Sequence, residues 1–230
     1  MKSLSKLFVP ASLALVAVAT AAPAAAQVQG RIGTADVSRA IINTTALQNA
    51  YNAVNTTYSA QLETRRTKQQ ELETLLQPFD TNGNGQLDEA ELPAVQNSPS
   101  FAQLQTLETE IANVNAQVNN ARIFAVEQIL AQYPAAVQEV AAAQQVVVVL
   151  QPEAIQYAGE GADITPQITA SLNTKVPNVG IVPPQNYRPS QQGAQIFQEI
   201  QQFLILAQLR QQQAAQQQQQ QQQGEQPQGR

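Results

Sequence analysis

The residues best suited to chemistry in this sequence form one loop, residues 80–91, which reads DTNGNGQLDEAE. Aspartate or asparagine occupies every second position of its first half, and the loop ends in a glutamate. Calcium takes six to eight oxygen ligands at distances that a flexible loop can supply. The spacing therefore predicts a Ca²⁺ site, whose ligands are the side chains of Asp80, Asn82, Asn84, Asp88 and Glu91 and the main-chain carbonyl of Gln86.

This loop matches the twelve-residue EF-hand pattern within a segment that spans 71–99. The alternative is a solvated turn between helices, but such a turn needs neither Gly85 at the sixth position nor Glu91 at the twelfth. Two neutral amide ligands and the lack of a second such loop predict modest affinity, roughly 10⁻⁵ to 10⁻³ M. Pro93 and Pro99 shorten the helix that follows, so we expect calcium to stiffen the turn rather than to trigger opening.

The composition argues against catalysis and against nucleic-acid binding. The chain has no cysteine and no histidine, which removes thiol chemistry, the usual zinc sites and every imidazole-based triad. No pair of carboxylates can be placed in one pocket from the pattern, so we expect the protein not to be an enzyme. With 12 Lys and Arg against 17 Asp and Glu, the chain is acidic, whereas nucleic acids require clustered cations.

The first 26 residues have the pattern of a secretory signal peptide. Lys2 and Lys6 precede an apolar run, and 24–26 is a small-residue stretch, so cleavage is predicted after Ala26. A membrane anchor is the alternative, but the run is short and has no basic flank after it. Removing the two lysines leaves 10 cations against 17 anions, a net charge of −7. We therefore expect export from the cytoplasm and no stable membrane insertion of the mature chain.

Two long amphipathic helices must position the loop. Apolar residues recur at spacings of three and four over about 45–79 and again over about 100–143, with an irregularity at Pro134. The first helix would be roughly 50 Å long at 1.5 Å per residue. Two such helices joined by a compact loop predict an antiparallel hairpin, the arm, within a domain that spans 27–176.

Short apolar segments on both sides of the arm predict a small β body. Residues 31–36 alternate like a strand, 146–150 (VVVVL) read as a strand buried on both faces, and 154–158 (AIQYA) read as a further strand. A short helix that contains Ile164, Ile168 and Leu172 on one face follows. The fold class is therefore α+β, and a body this small is expected to complete its core by oligomerising.

The C-terminal part changes composition three times. Residues 177–193 are rich in proline and predict a semi-rigid linker. Residues 194–212 predict an amphipathic helix, which either docks onto the body or self-associates, or else binds a component of the cell envelope. Residues 213–230, dominated by glutamine, are predicted to be disordered because they cannot bury apolar area.

The order of strand, long helical hairpin, apolar strand, second strand and short helix resembles the Skp/OmpH family of periplasmic chaperones. The likeness lies in 31–37 (RIGTADV), the break at 43–45 (NTT) and 146–172. The resemblance implies a homotrimer in the periplasm, in which strands of three chains form a barrel-like core and the arms surround a cavity. It also implies ATP-independent holding of unfolded outer-membrane proteins, and no active site. A calcium-binding structural or adhesion component with a coiled-coil stalk is the alternative function.

Overall fold

The computed structural model describes residues 30–224, and the predicted signal peptide and the last six residues lie outside this range. The described chain is mostly helical, with one small sheet and a long helical arm. It contains two strands and eight α-helices in this order: β1 (Arg31–Thr34), α1 (Val37–Ile42), α2 (Thr45–Thr57), α3 (Ser59–Leu76), α4 (Leu92–Gln96), α5 (Phe101–Leu130), α6 (Tyr133–Ala143), β2 (Val146–Leu150), α7 (Thr165–Lys175) and α8 (Gln191–Gly224).

The sheet joins two strands that are far apart in the sequence. β1 pairs with β2 in parallel, with Ile32 opposite Val148 and Thr34 opposite Leu150. Parallel strands need a crossover connection, and here the whole arm is that connection. The chain returns to β1 once more after β2, because Ile164 donates its N–H to the carbonyl of Thr34 at 2.9 Å. The sheet therefore brings together the beginning and the end of the arm.

The second strand predicted after VVVVL, at 154–158, is wrong. Pro152–Ala154 forms a short 3-10 turn, which ends where the N–H of Ile155 bonds to the carbonyl of Pro152 at 3.1 Å. Tyr157 is 87% exposed, and residues 155–158 pair with neither strand of the sheet. The apolar alternation of this segment resembles that of a strand. A strand also needs a hydrogen-bonding neighbour, and after the turn this segment has none within the described chain.

The core of the body lies where α1, α6 and α7 meet the ends of the arm helices. Asp36 starts α1 by accepting the N–H of Arg39 at 2.9 Å, and its own N–H donates to Thr165 Oγ1 at 3.1 Å. Thr44 caps α2 in the same way, by accepting the N–H of Leu47. The largest apolar side chains that this arrangement buries completely are Ile41, Leu47, Ile129, Ile164, Ile168, Leu172 and Ile200.

The arm is an antiparallel hairpin in which α2 and α3 pack along α5. The predicted first helix, 45–79, is interrupted at Tyr58 and ends in the 3-10 turn Gln77–Phe79. The second, 100–143, is divided at 131–132, and Pro134 lies in the first turn of α6, where its missing N–H costs nothing. α5 buries Leu104, Leu107 and Ile111, whereas α3 buries no residue fully. The outer arm is therefore thinly packed.

The proline-rich segment is anchored to the base of the arm. Glu127 on α5 accepts a hydrogen bond from the Tyr187 hydroxyl at 2.6 Å and another from the N–H of Ser190 at 2.7 Å. The side-chain amide of Gln128 donates to the carbonyl of Gly180, and its side-chain carbonyl accepts the N–H of Gly180, at 2.9 Å each. These contacts hold the start of α8 against the body.

Helix α8 differs from the expectation for the glutamine-rich tail. We expected an amphipathic helix over 194–212 and disorder beyond it, but α8 continues to Gly224. Glutamine is a good helix former, and extending an existing helix costs far less than nucleating one. The docked first turns of α8 supply that nucleus, so the helix continues into the tail.

Replacing Ile168 by alanine tests the position of the core. This side chain is 0% exposed, so Ile168→Ala should lower the free energy of unfolding by about 2–5 kcal/mol. Urea denaturation at one fixed protein concentration measures the change, since self-association would make stability depend on concentration. Val182 is 68% exposed, and Val182→Ala should change stability by less than about 0.5 kcal/mol. Equal losses in the two variants would contradict this core.

Candidate functional site

The predicted calcium loop lies at the outer end of the arm, between α3 and α4. Its first half is wound around the carboxylate of Asp80, which accepts the N–H of Asn84 at 3.1 Å and that of Gly85 at 2.7 Å. The side-chain oxygens of Asn82 and Asn84 each accept the N–H two residues further on, at 3.0 and 2.7 Å. These bonds turn the predicted ligands at positions one, three and five into one compact coil.

Two glycines allow this coil to form. Gly83 has φ +71° and Gly85 has φ +75°, in the left-handed region that residues with a Cβ rarely adopt. A Cβ at either position would meet nothing within 4 Å. Both glycines are therefore required by the backbone conformation and not by a lack of space.

The second half of the loop is closed by Glu91. Glu91 as a residue is 5% exposed, and its carboxylate accepts hydrogen bonds from the N–H of Thr81 at 2.6 Å, the Thr81 hydroxyl at 2.7 Å and the N–H of Asp88 at 3.2 Å. The Thr81 hydroxyl contributes most to lowering the pKa of Glu91 below its ordinary value. Glu91 is thus held as an anion that joins the start of the loop to its end.

The structure joins some of the predicted ligands and separates others. Asn82 Nδ2 donates to Asp88 Oδ2 at 3.0 Å, so the third and ninth positions touch directly. Within residues 30–224, no three His, Cys, Asp or Glu side chains are grouped closely enough to hold a metal ion. The six oxygen ligands fit calcium in their chemistry, and the coil around Asp80 suits it. Bidentate binding by Glu91 would have to replace the hydrogen bonds that this carboxylate accepts here.

Polar side chains link the two arm helices along their length. Lys68 on α3 pairs with Glu110 on α5, Gln103 donates to Glu71 at 3.0 Å, and Arg65 donates to Asn115 at 3.4 Å. These contacts have no signal in the sequence, because no local spacing marks partners 32 to 50 residues apart. Two of the arm cations are therefore engaged inside the hairpin.

At the base of the arm, Arg122 lies 5.6 Å from the centre of the Tyr51 ring and donates to Asn55 at 3.1 Å. Burial lowers the pKa of Arg122, and burial raises the pKa of Tyr51 to about 12. Arg122 therefore contributes to the packing of α2 on α5, and its charge lies over an aromatic ring rather than beside a carboxylate.

Both faces of the sheet present apolar side chains to solvent. Successive strand residues point to opposite faces, and Val147 and Val148 are 51% and 40% exposed. Ile32, opposite Val148 on β1, is 56% exposed. The sequence predicted that β2 is buried on both faces, and in the single chain this is wrong. The physical reason is that no other element of the described chain covers these side chains.

The geometry defines a class of protein: a small α+β body with a helical hairpin arm that begins and ends at one parallel strand pair. Residues 31–172, more than half of the 230-residue chain, match the family described as outer membrane protein (OmpH-like). The chain belongs to this OmpH-like family. The family resemblance found in the sequence is therefore confirmed, whereas the EF-hand insertion stays a prediction.

Comparison with solved structures finds a crystal structure from Caulobacter crescentus CB15, described as a candidate outer membrane chaperone (OmpH-like). The two sequences are 18% identical, the match covers 66% of this chain and 88% of that one, and the TM-score is 0.41. No curated protein matches the sequence.

Glu91→Gln tests whether this carboxylate closes the loop in the absence of metal. Charge-assisted hydrogen bonds are stronger than neutral ones, so the amides of Thr81 and Asn82 should exchange their protons several-fold faster in the variant. Hydrogen exchange followed by NMR in the presence of a chelator measures this. Glu89→Gln, two residues away, is the matched control and should leave both rates unchanged. Identical exchange in all three proteins would contradict the closure by Glu91.

Proposed function

We propose that this chain is an ATP-independent periplasmic chaperone, a holdase that binds unfolded outer-membrane proteins. The observation that carries the proposal is the match of residues 31–172 to the OmpH-like family. The arm supports it, because an extended and thinly packed hairpin offers a long surface on which an unfolded chain can lie. The predicted signal peptide, 1–26, supports export. No helix of residues 30–224 is long and apolar enough to cross a membrane.

The arm would hold its clients by apolar and amide contacts rather than by charge. The chain is acidic, with formal net charge −5 before any cleavage. Lys68 and Arg65 bond across the hairpin, and Arg122 bonds Asn55 at its base. Leu72 and Leu76 on α3 remain half-buried, so apolar surface is available on the outer arm. Such contacts are weak individually and suit the binding of many different unfolded segments.

We further propose that the working form is a homotrimer with a barrel-like core of strands from three chains. A sheet of two strands is marginal by itself, and both of its faces carry exposed valine or isoleucine. Sheets of other copies, lying against Ile32, Val147 and Val148, would bury this apolar area. The arms would then project from one common core and surround a cavity.

A second proposed activity is calcium binding at the loop 80–91, because its first half is already coiled around the Asp80 carboxylate. The ligands would be Asp80, Asn82, Asn84, Asp88 and Glu91 through side chains and Gln86 through its carbonyl. Calcium would stiffen the end of the arm. If the chain binds calcium but holds no clients, it is instead a structural or adhesion component of the cell envelope with a coiled-coil stalk.

The holdase proposal is tested by diluting a urea-denatured outer-membrane protein into buffer with and without the chain. We expect light scattering to fall to near the baseline without ATP, and Leu72→Gln with Leu76→Gln to weaken the effect because apolar contacts on the arm are lost. Thr64→Ala, an exposed arm substitution, should leave it unchanged. Scattering that is the same with and without the wild-type chain would rule out a holdase.

Calorimetric titration tests the calcium site. The wild-type chain and Glu89→Gln should both release or absorb heat with a Kd of roughly 10⁻⁵ to 10⁻³ M, the range of weaker calcium modules. Glu91→Gln should lose most of this heat because it loses the bidentate carboxylate. Equal heats from the wild-type chain and Glu91→Gln would refute coordination at this loop.

A further inference from the structure

Helix α8 has two halves with different surroundings. In its first half, Ile196, Phe197 and Ile200 are buried, at 5%, 7% and 0% exposure, against α1 and α5. Glu199 accepts a hydrogen bond from the Ser38 hydroxyl on α1, which ties this half to the body. The family match ends at residue 172, so α8 is an addition to the part of the chain that defines the family.

From Phe203 to Leu206, α8 is apolar on every side. Phe203, Leu204, Ile205 and Leu206 follow one another, and Leu209 completes an apolar stripe, which we define as residues 203–209. Successive helical residues point about 100° apart, so four consecutive apolar residues cover nearly the whole circumference. A helix that is apolar all round is normally buried. In α8, the large apolar side chains of residues 203–209 are between 37% and 57% exposed.

The chain's own body reaches only one side of the stripe. A groove of about 840 Å³ lies between α8 and the end of β2, with Phe203 and Leu206 on one wall and Val149 and Leu150 on the other. Leu204 and Ile205 do not line this groove, and they remain 41% and 57% exposed. Whatever covers those side chains must come from outside the single chain.

The charge pattern of α8 indicates which kind of partner covers residues 203–209. Between Ile200 and Gly224, α8 carries one charged residue, Arg210, and otherwise only glutamine and small or apolar residues. Helices that lie on membrane surfaces are instead rich in Lys and Arg on their polar face. A neutral apolar segment meets an identical copy of itself without like-charge repulsion. These features favour a second copy of this chain over an anionic lipid surface.

The stripe is also continuous with the other uncovered surface of the molecule. The groove connects Phe203 and Leu206 to Val149 and Leu150 of β2, and Val147 and Val148 precede these residues on the same strand and are exposed. Five exposed apolar side chains of the stripe and three of the sheet, Ile32, Val147 and Val148, are uncovered in the single chain. One assembly of identical chains can therefore cover both surfaces.

We infer that residues 203–209 pack against the same residues of other copies of this chain, so that the α8 helices form a second assembly contact beside the strand core. This inference rests on the proposed oligomer, because the copies must already meet at the body. It assigns the C-terminal helix a role in self-association, distinct from any contact with client proteins.

Disulfide cross-linking tests this contact. The chain contains no cysteine, so a single introduced cysteine can form a disulfide only with the same cysteine of another copy. Gln208→Cys in the exported chain, residues 27–230, should form a disulfide-linked dimer within the assembly under mild oxidation, because bridged Cα atoms lie within about 7 Å of each other. Leu206→Gln with Leu209→Gln in the same background should reduce that dimer by about tenfold or more. Gln69→Cys on the exposed arm is the control and should give little dimer.

The outcomes separate this inference from the proposed function. Oligomeric mass and client holding are measured on the same proteins under reducing conditions. An oligomer that holds clients but gives no more dimer from Gln208→Cys than from Gln69→Cys overturns the α8 contact alone. A monomeric mass overturns the trimer and the α8 contact together. Flotation of the wild-type chain, but not of Leu206→Gln with Leu209→Gln, on anionic vesicles would show that lipid covers the stripe and would also overturn the inference.

Discussion

The structure depends on one pairing, that of β1 with β2. These parallel strands join residues 31–34 to residues 146–150, and the N–H of Ile164 adds a third contact to the same place. Because parallel strands require a crossover, everything between them must leave the body and return to it. The helical hairpin is that excursion, so its length can vary without changing the body. A loop at its outer end, such as 80–91, can be accommodated for the same reason.

The same pairing leaves the single chain incomplete. A parallel pair is normally covered on both faces, yet Val147 and Val148 are open to solvent on opposite faces of β2. The helices α1, α6 and α7 bury one compact core around Ile41, Ile168 and Leu172, but they do not reach these side chains. The apolar stripe of α8, residues 203–209, is also exposed. Both surfaces are apolar area that the described part of the chain does not cover.

Several features followed from the sequence because their determinants are local. Helical spacing placed the arm, the break at 43–45 lies where α2 starts, and the spacing of Asp80, Asn82 and Asn84 with glycines predicted a compact loop. The predicted strand 31–36 includes Asp36, but β1 ends at Thr34 and Asp36 caps α1. Features that depend on distant partners did not follow. The segment 154–158 has the pattern of a strand but finds no neighbour, and the tail 213–224 continues a helix that is nucleated by docking. The bonds of Glu127 to the proline-rich segment likewise have no local signal.

By itself, the sequence determined the helical arm, since periodicity and capping residues act over a few positions along the chain, and its resemblance to a known family indicated the family. The ligand spacing of the loop 80–91 predicts calcium binding in the same local way. Only the tertiary structure decided which surfaces remain uncovered. It showed that VVVVL, which reads as fully buried, exposes Val147, Val148 and Leu150 in one chain, and that Glu91 accepts hydrogen bonds from Thr81 and Asp88. Burial and hydrogen-bond satisfaction are properties of what surrounds a residue, and those surroundings come from residues far away in the sequence or from another copy of the chain.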